Sequence, residues 1–201
     1  MAQKPADGLG RAVPGPDPDD TVHSEAVYHG RVVDLYVDTV RFPDGSTGKL
    51  EMMRHSGASA VLPVLGDPAA DDPQILLIRQ YRYAAGGFML EVPAGRPDRM
   101  GEPWEDVARR ELEEETGHVA GTLTYLTSIY TTPGFTNELI RLYVATDLRP
   151  GRTSLDANEF LEPVFTTLSA ALAMVRSGEI VDAKTIGTLL YVATWGVTPA
   201  S

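Results

Sequence analysis

GRPDRMGEPWEDVARRELEEETG, residues 95–117, decides the reading of this 201-residue chain. It opens as a Gly/Pro loop and passes into a helical pattern over 103–116. Pro103 suits a first turn, Glu105 and Asp106 suit the positive end of a helix dipole, and Gly117 suits the stop. Trp104, Ala108 and Leu112 recur at i, i+4 and form an apolar stripe. The anomaly lies at the far end. Glu111, Glu113, Glu114 and Glu115 crowd the closing turns, where like charges repel and the dipole favours cations. At about 100° per residue, Glu115 lies within about 40° of Glu111 and Glu114 about 60° to its other side. Glu113 is expected to face solvent. Three carboxylates on one face can hold a hard cation, Mg2+ or Mn2+, completed by water and phosphate oxygens. A solvated acidic helix end is the alternative, and on the glutamates alone the two readings weigh about equally.

The bulk composition narrows the chemistry. A net charge of −11 excludes a general nucleic-acid binder, which needs a basic face, but admits a small anionic substrate whose charge a metal offsets. The absence of cysteine excludes disulfides, zinc–thiolate sites and thiol nucleophiles. The four histidines, at 23, 29, 55 and 118, have no paired ligand spacing and read as structural or surface groups. No apolar run reaches membrane-spanning length. Residues 1–21, rich in Pro, Asp and Gly, read as a disordered tail without a signal peptide's apolar core. A cytoplasmic protein with no membrane or nucleic-acid partner is the expectation.

Outward from the helix, strands dominate. Residues 22–56 read as a small antiparallel β unit of two or three strands, too small to be stable alone. ASAVLPVL and QILLIRQY follow as two apolar strands, then GFMLEVPAG as a short strand ending in a Pro/Gly loop. Beyond the helix, LTYLTSIY, ELIRLYVATDL and VFTTL read as strands, and two helices are expected at about 169–177 and 183–195. The loop RPGRTSLDANEFLEP precedes VFTTL. Helices flanking a mixed sheet give an α/β class. Trp104 and Trp195 fall on core-like helices. Tyr81 and Tyr83 read as core or sheet-face residues. Gly86 and Gly87 suit a turn.

Residues 95–117 resemble the Nudix box: Gly, five residues, Glu, seven residues, Arg-Glu, an aliphatic, any residue, Glu-Glu, any residue, Gly, an aliphatic. Gly95, Glu102, Arg110, Glu111, Leu112, Glu114, Glu115 and Gly117 follow in that order. Two positions depart: six residues separate Gly95 from Glu102, and His118 stands where an aliphatic is usual. The resemblance implies a Nudix-type α/β/α sandwich with a mixed sheet over 57–201, and it extends further to the ADP-ribose pyrophosphatase branch. IRQYRY (78–83) and EVPAG (91–95) are similar to that branch's strands, and Pro133, 16 positions after Gly117, stands where its specificity proline is usual. NEFLE (158–162) looks like its acidic loop, and 22–56 resembles its N-terminal segment, which mediates homodimer formation.

What this implies is Mg2+-dependent hydrolysis of ADP-ribose to AMP and ribose 5-phosphate, with two or three ions and Mn2+ as a possible substitute. By resemblance Glu111 and Glu115 are the main metal ligands, Glu114 shares a metal or water, and the Ala94 carbonyl completes a coordination sphere. Arg110 orients the glutamates, Arg82 pairs with the diphosphate, and Glu91 is a further ligand candidate. Glu159 is the candidate for a loop carboxylate that orients or deprotonates water, with Glu162 as its alternative. Each residue also has a plain reading as a surface ion or loop acid. Another nucleoside diphosphate sugar, GDP-mannose or ADP-glucose, is the alternative substrate. A sensor that binds ADP-ribose without cleaving it is the alternative function. Tyr28, Tyr36 and Phe42 are the aromatics of the N-terminal segment, and the residue that stacks on adenine is not assigned.

Overall fold

The computed structural model describes residues 20–155 and 160–197, which form two compact units. The first runs to Gly57 and takes in Thr132–Leu139; the second comprises the rest. In the first unit β1 (Thr21–His29), β2 (Asp34–Arg41) and β3 (Thr47–Arg54) form an antiparallel sheet in the order β1-β2-β3. Asp38, almost fully buried, is held by Arg54 and Ser24. The Arg54 guanidinium also lies 3.7 Å from the centroid of the Tyr36 ring. Segment 132–139 is fastened to β3: the Met53 amide donates to the Phe135 carbonyl at 2.7 Å, and the His55 amide to the Asn137 side chain at 2.8 Å.

The second unit carries β4 (Ala58–Leu65), β5 (Gln74–Arg82), β6 (Gly87–Glu91), β7 (Ala94–Gly95), β8 (His118–Val119), β9 (Thr122–Tyr130), β10 (Leu139–Thr146, its first residue in the other unit), β11 (Arg149–Pro150) and β12 (Leu161–Thr167). Its helices are α1 (Trp104–Thr116), α2 (Leu168–Ser177) and α3 (Ala183–Trp195). The main sheet runs β12-β5-β4-β10-β9, with β6 on β5 and β7 on β4. It is mixed: β4 and β10 are parallel, whereas β4–β5 and β5–β12 are antiparallel.

Both faces of this sheet are covered, which explains why β4 and β5 read as apolar strands. Successive side chains point to opposite faces. Ala60, Leu62 and Val64 of β4, with Leu142 and Val144 of β10, join Ala171 of α2 and Leu189 and Val192 of α3 in one core cluster. Val61, Tyr143 and Ala145 face the other way, onto Ala108 and Leu112 of α1. The layers are α1, sheet, then α2 with α3. This is the α/β sandwich with a small N-terminal antiparallel sheet that the sequence implies.

Details differ from expectation. Trp195 is 64% exposed on the outer side of α3, because the core stripe of that helix is Thr185, Thr188, Leu189 and Val192. Tyr83 is not a core or sheet residue; it begins a 3-10 turn after β5 and is 88% exposed. Glu162 sits on strand β12, not in the loop, and pairs with Arg79 across the ladder at 2.9 Å. Glu159 lies outside the described residues.

Candidate active site

The α1 helix ends where the sequence places the stop. Gly117 adopts a left-handed conformation, φ 69°, and its amide donates to the Glu113 carbonyl. A side chain at such a φ is strained, which fixes glycine here. His118 departs from the aliphatic pattern for a local reason: its Nδ1 donates to the Thr116 carbonyl at 2.9 Å. Glu113 does not simply face solvent. Its carboxylate accepts the Arg152 amide at 3.3 Å, while the Gly151 amide reaches the Gly117 carbonyl and the Ser154 amide the Glu114 carbonyl. Loop 151–154 is thereby pinned to the helix end.

The other three glutamates are held in place one by one. Arg110 is the hub. Its Nη1 donates to Glu111 at 2.8 Å and to Glu114 at 3.0 Å; its Nη2 donates to the Arg96 carbonyl at 2.8 Å. Its Nε faces Asp98 at 3.3 Å and Glu102 at 3.4 Å. Against the effect of burial, Glu111, Glu102 and Glu114 raise the Arg110 pKa. Glu102 also accepts the Asp98 amide at 2.8 Å, closing the loop that is one residue longer than the pattern. Despite burial, that amide and Arg110 hold the Glu102 carboxyl below the usual glutamate range. Glu115 is almost fully buried and accepts the Ala94 amide at 2.9 Å.

Glycine at position 95 has a steric cause. A Cβ there would overlap the Glu111 carboxylate. The bare backbone lets the acid lie directly on β7, beside Glu115.

Arg82 and Glu91 form a second polar group. Glu91 is 1% exposed at the end of β6. It accepts Nε and Nη2 of Arg82, each at 2.8 Å, in a bidentate pair. It also accepts Lys184 Nζ at 2.5 Å, and Lys184 lies 3.0 Å from Asp182. Burial opposes the charged form of Glu91, but Arg82 and Lys184 hold its carboxyl below the glutamate range. The hydrogen-bonded Glu91 raises the Arg82 pKa in turn. Glu91 is thus held by two cations. Pro133 lies in segment 132–139 of the first unit.

EVPAG, residues 91–95, joins both groups. Glu91 takes Arg82 and Lys184; the Val92 amide donates to Thr185; the Pro93 carbonyl accepts the Val61 amide; the Ala94 amide holds Glu115; Gly95 admits Glu111. Lys184 escaped the sequence reading, although a signal was present. It is the second residue of a helix, where a cation opposes the dipole.

Among the described residues no three His, Cys, Asp or Glu side chains already converge as a complete metal site. The donor set nevertheless fits a hard cation. Mg2+ is held by one or two carboxylates and completes its shell with water and substrate phosphate, and Glu111, Glu114 and Glu115 offer such oxygens on one helix end.

Two outcomes follow. Gly95→Ala displaces the Glu111 carboxylate, so hydrolytic activity falls at least tenfold while circular dichroism keeps the fold's signature; unchanged activity removes the Gly95–Glu111 contact from the site. Glu91, depressed below 4.5, contributes stability that is full above that value and is lost as pH falls through its folded value. Glu91→Gln therefore costs about 3 kcal/mol in denaturant unfolding at neutral pH. The deficit closes as the pH is taken below 4.5, and a deficit that stays constant with pH would contradict the pairing.

The comparisons agree with this geometry. The NUDIX domain family model matches residues 54–186. The chain is 40% identical over 173 residues to an ADP-ribose pyrophosphatase of Bacillus subtilis (strain 168), covering 85% of this chain and 90% of that protein. It is 38% identical to a methanol dehydrogenase activator of Bacillus methanolicus, with the same coverage of each. A solved structure described as an ADP compounds hydrolase superposes with a TM-score of 0.73 at 26% identity, covering 94% of this chain and 96% of that one. With the box glutamates, their arginine hub and the family match in agreement, the chain belongs to the Nudix hydrolase family.

Proposed function

We propose that this enzyme hydrolyses the diphosphate bond of ADP-ribose, giving AMP and ribose 5-phosphate, with Mg2+ as its cofactor. The observation that carries the proposal is the acidic cluster, with Glu111 on the bare backbone of Gly95 and Glu115 on the Ala94 amide. Similarity to a relative named for that activity supports the choice of substrate.

Glu111 and Glu115, with Glu114 and the Ala94 carbonyl, would hold two or three ions. Bound there, the metal neutralises phosphate oxygens and acidifies water. Arg110 holds Glu111 and Glu114 in register, a role that needs no contact with substrate. Arg82 offers the diphosphate an outer guanidinium edge, since Glu91 occupies only Nε and Nη2. Glu159 is our candidate to take the proton as water attacks one phosphorus and the other phosphate leaves.

We assign residues 22–56 to dimerisation, 57–201 to the catalytic domain and 1–21 to a tail. The support for a homodimer is the exposed apolar surface of the small sheet: Val22, Val27 and Tyr28 of β1 and Leu50 of β3. No helix among the described residues is long and apolar enough to cross a membrane, and we place the enzyme in the cytoplasm.

Glu115→Gln is expected to fold and to lose about 100-fold or more in kcat; a near-normal rate would remove Glu115 from the site. The substrate is checked by kcat/KM for ADP-ribose beside GDP-mannose and ADP-glucose. ADP-ribose should lead, and preference for the guanine nucleotide would overturn the assignment.

A further inference from the structure

Lys184 is a buried cation at the wrong end of a helix. It is 8% exposed and lies in the first turn of α3, where the dipole repels positive charge. Burial of an ammonium is costly unless it is paired. Its partners are Glu91, at 2.5 Å, and Asp182, at 3.0 Å. Asp182 is itself fixed as the N-cap, accepting the amide and hydroxyl of Thr185 at 2.9 and 2.6 Å. The same Thr185 hydroxyl accepts the Val92 amide at 2.9 Å. The start of α3 is thus bolted to residues 91 and 92.

The charges in this group balance: Glu91 and Asp182 against Arg82 and Lys184. Two cations share one Glu91 oxygen, Oε2, since Arg82 Nη2 and Lys184 Nζ both donate to it. Were Arg82 the sole counter-ion of a carboxylate that is 1% exposed, its charge would be committed there. With Lys184 present, Glu91 stays compensated whether or not Arg82 also serves an anion. A guanidinium has five N–H donors in a planar fork, and Glu91 takes two of them from one edge. Glu91 is the one hydrogen-bond partner of Arg82 among the described residues, with Glu115 and Asp182 acting on it through space, and its side chain is 41% exposed. Its remaining edge is therefore held in a fixed plane and offered outward.

We propose that Lys184 is a positioning residue that acts through Glu91 to hold the Arg82 guanidinium for the substrate's diphosphate. This rests on the reading of Arg82 as a diphosphate ligand. Lys184 touches neither substrate nor metal; it fixes the carboxylate that fixes the arginine. Because Glu91 and Ala94 lie three residues apart on one hydrogen-bonded segment, the same device keeps Arg82 in register with Glu115, which Ala94 holds.

The test is a set of double-mutant cycles on full-length protein with ADP-ribose and Mg2+. Lys184→Met should raise KM about tenfold and leave kcat within about threefold, the pattern of lost uniform binding. In an Arg82→Ala background, and equally in a Glu91→Gln background, Lys184→Met should change KM no further. An equal rise in KM with and without Arg82 would overturn the proposal, as would a fall in kcat at constant KM. If Lys184→Met does not fold, Glu91→Gln is compared with the Glu91→Gln/Lys184→Met pair, which leaves neither charge of the Lys184–Glu91 pair buried. Equal KM values support the proposal and a higher KM in the pair overturns it. Arg82→Ala with a normal KM would instead overturn the role of Arg82 itself, a separate failure.

Discussion

The constraint on which the structure depends is the contact between the Glu111 carboxylate and the bare backbone at Gly95. It lays the Glu111 carboxylate on β7 so closely that a Cβ at position 95 would displace it. Everything else in the site is arranged to keep that approach. Arg110 neutralises Glu111 and Glu114 and grips the loop that leads into the helix through the Arg96 carbonyl, Asp98 and Glu102. Glu115 is drawn to the adjacent amide. Beneath the contact, Ala108 and Leu112 press α1 onto Val61 and Tyr143. The apolar stripe supplies the adhesion and the polar groups supply the register. A helix held by hydrophobic packing alone could slide by a fraction of a turn; one tied by five carboxylate and carbonyl contacts to Arg110 cannot.

Two helices in this chain carry charge at the end their dipoles disfavour. α1 gathers glutamates in its closing turns and α3 places Lys184 in its first. Both also bury charge, and both surround it with a dense set of partners. Such a breach of the dipole rule is a sign of function, since local rules are broken where a site requires it. The EVPAG segment explains why the two violations occur together. It is short and rigid, and every residue in it is committed: Glu91 to cations, Val92 to the core and to Thr185, Pro93 to β4, Ala94 to Glu115, Gly95 to Glu111. The chain uses one stretch of backbone to align the acidic cluster with the Arg82–Glu91 pair.

Much of this was legible in the sequence. The α1 stripe, its Gly117 stop and the unusual glutamates follow from helical periodicity and dipole chemistry. The mixture of strands with a few helices implied helices flanking a mixed sheet. What was not legible depends on contacts distant in sequence. Glu113, assigned to solvent by its angle on an isolated helix, meets a loop nearly 40 residues on. The cation that meets Glu91 was equally hidden, because Lys184 stands 93 residues away. Trp195 looked like core because its helix is apolar on more sides than the sheet can cover. Periodicity reports which face of an element is apolar; it says nothing of which charged group from elsewhere will reach the polar face.

If the acidic end of α1 exists to hold divalent cations, it binds them before substrate arrives. The most direct measurement is Mn2+ binding to the substrate-free protein by electron paramagnetic resonance, comparing the wild type with Glu111→Gln/Glu115→Gln. Saturable binding is expected in the wild type and its loss in the double variant, with both proteins folded. Equal binding in the two would contradict it, and would return the four glutamates to the status of a solvated helix end.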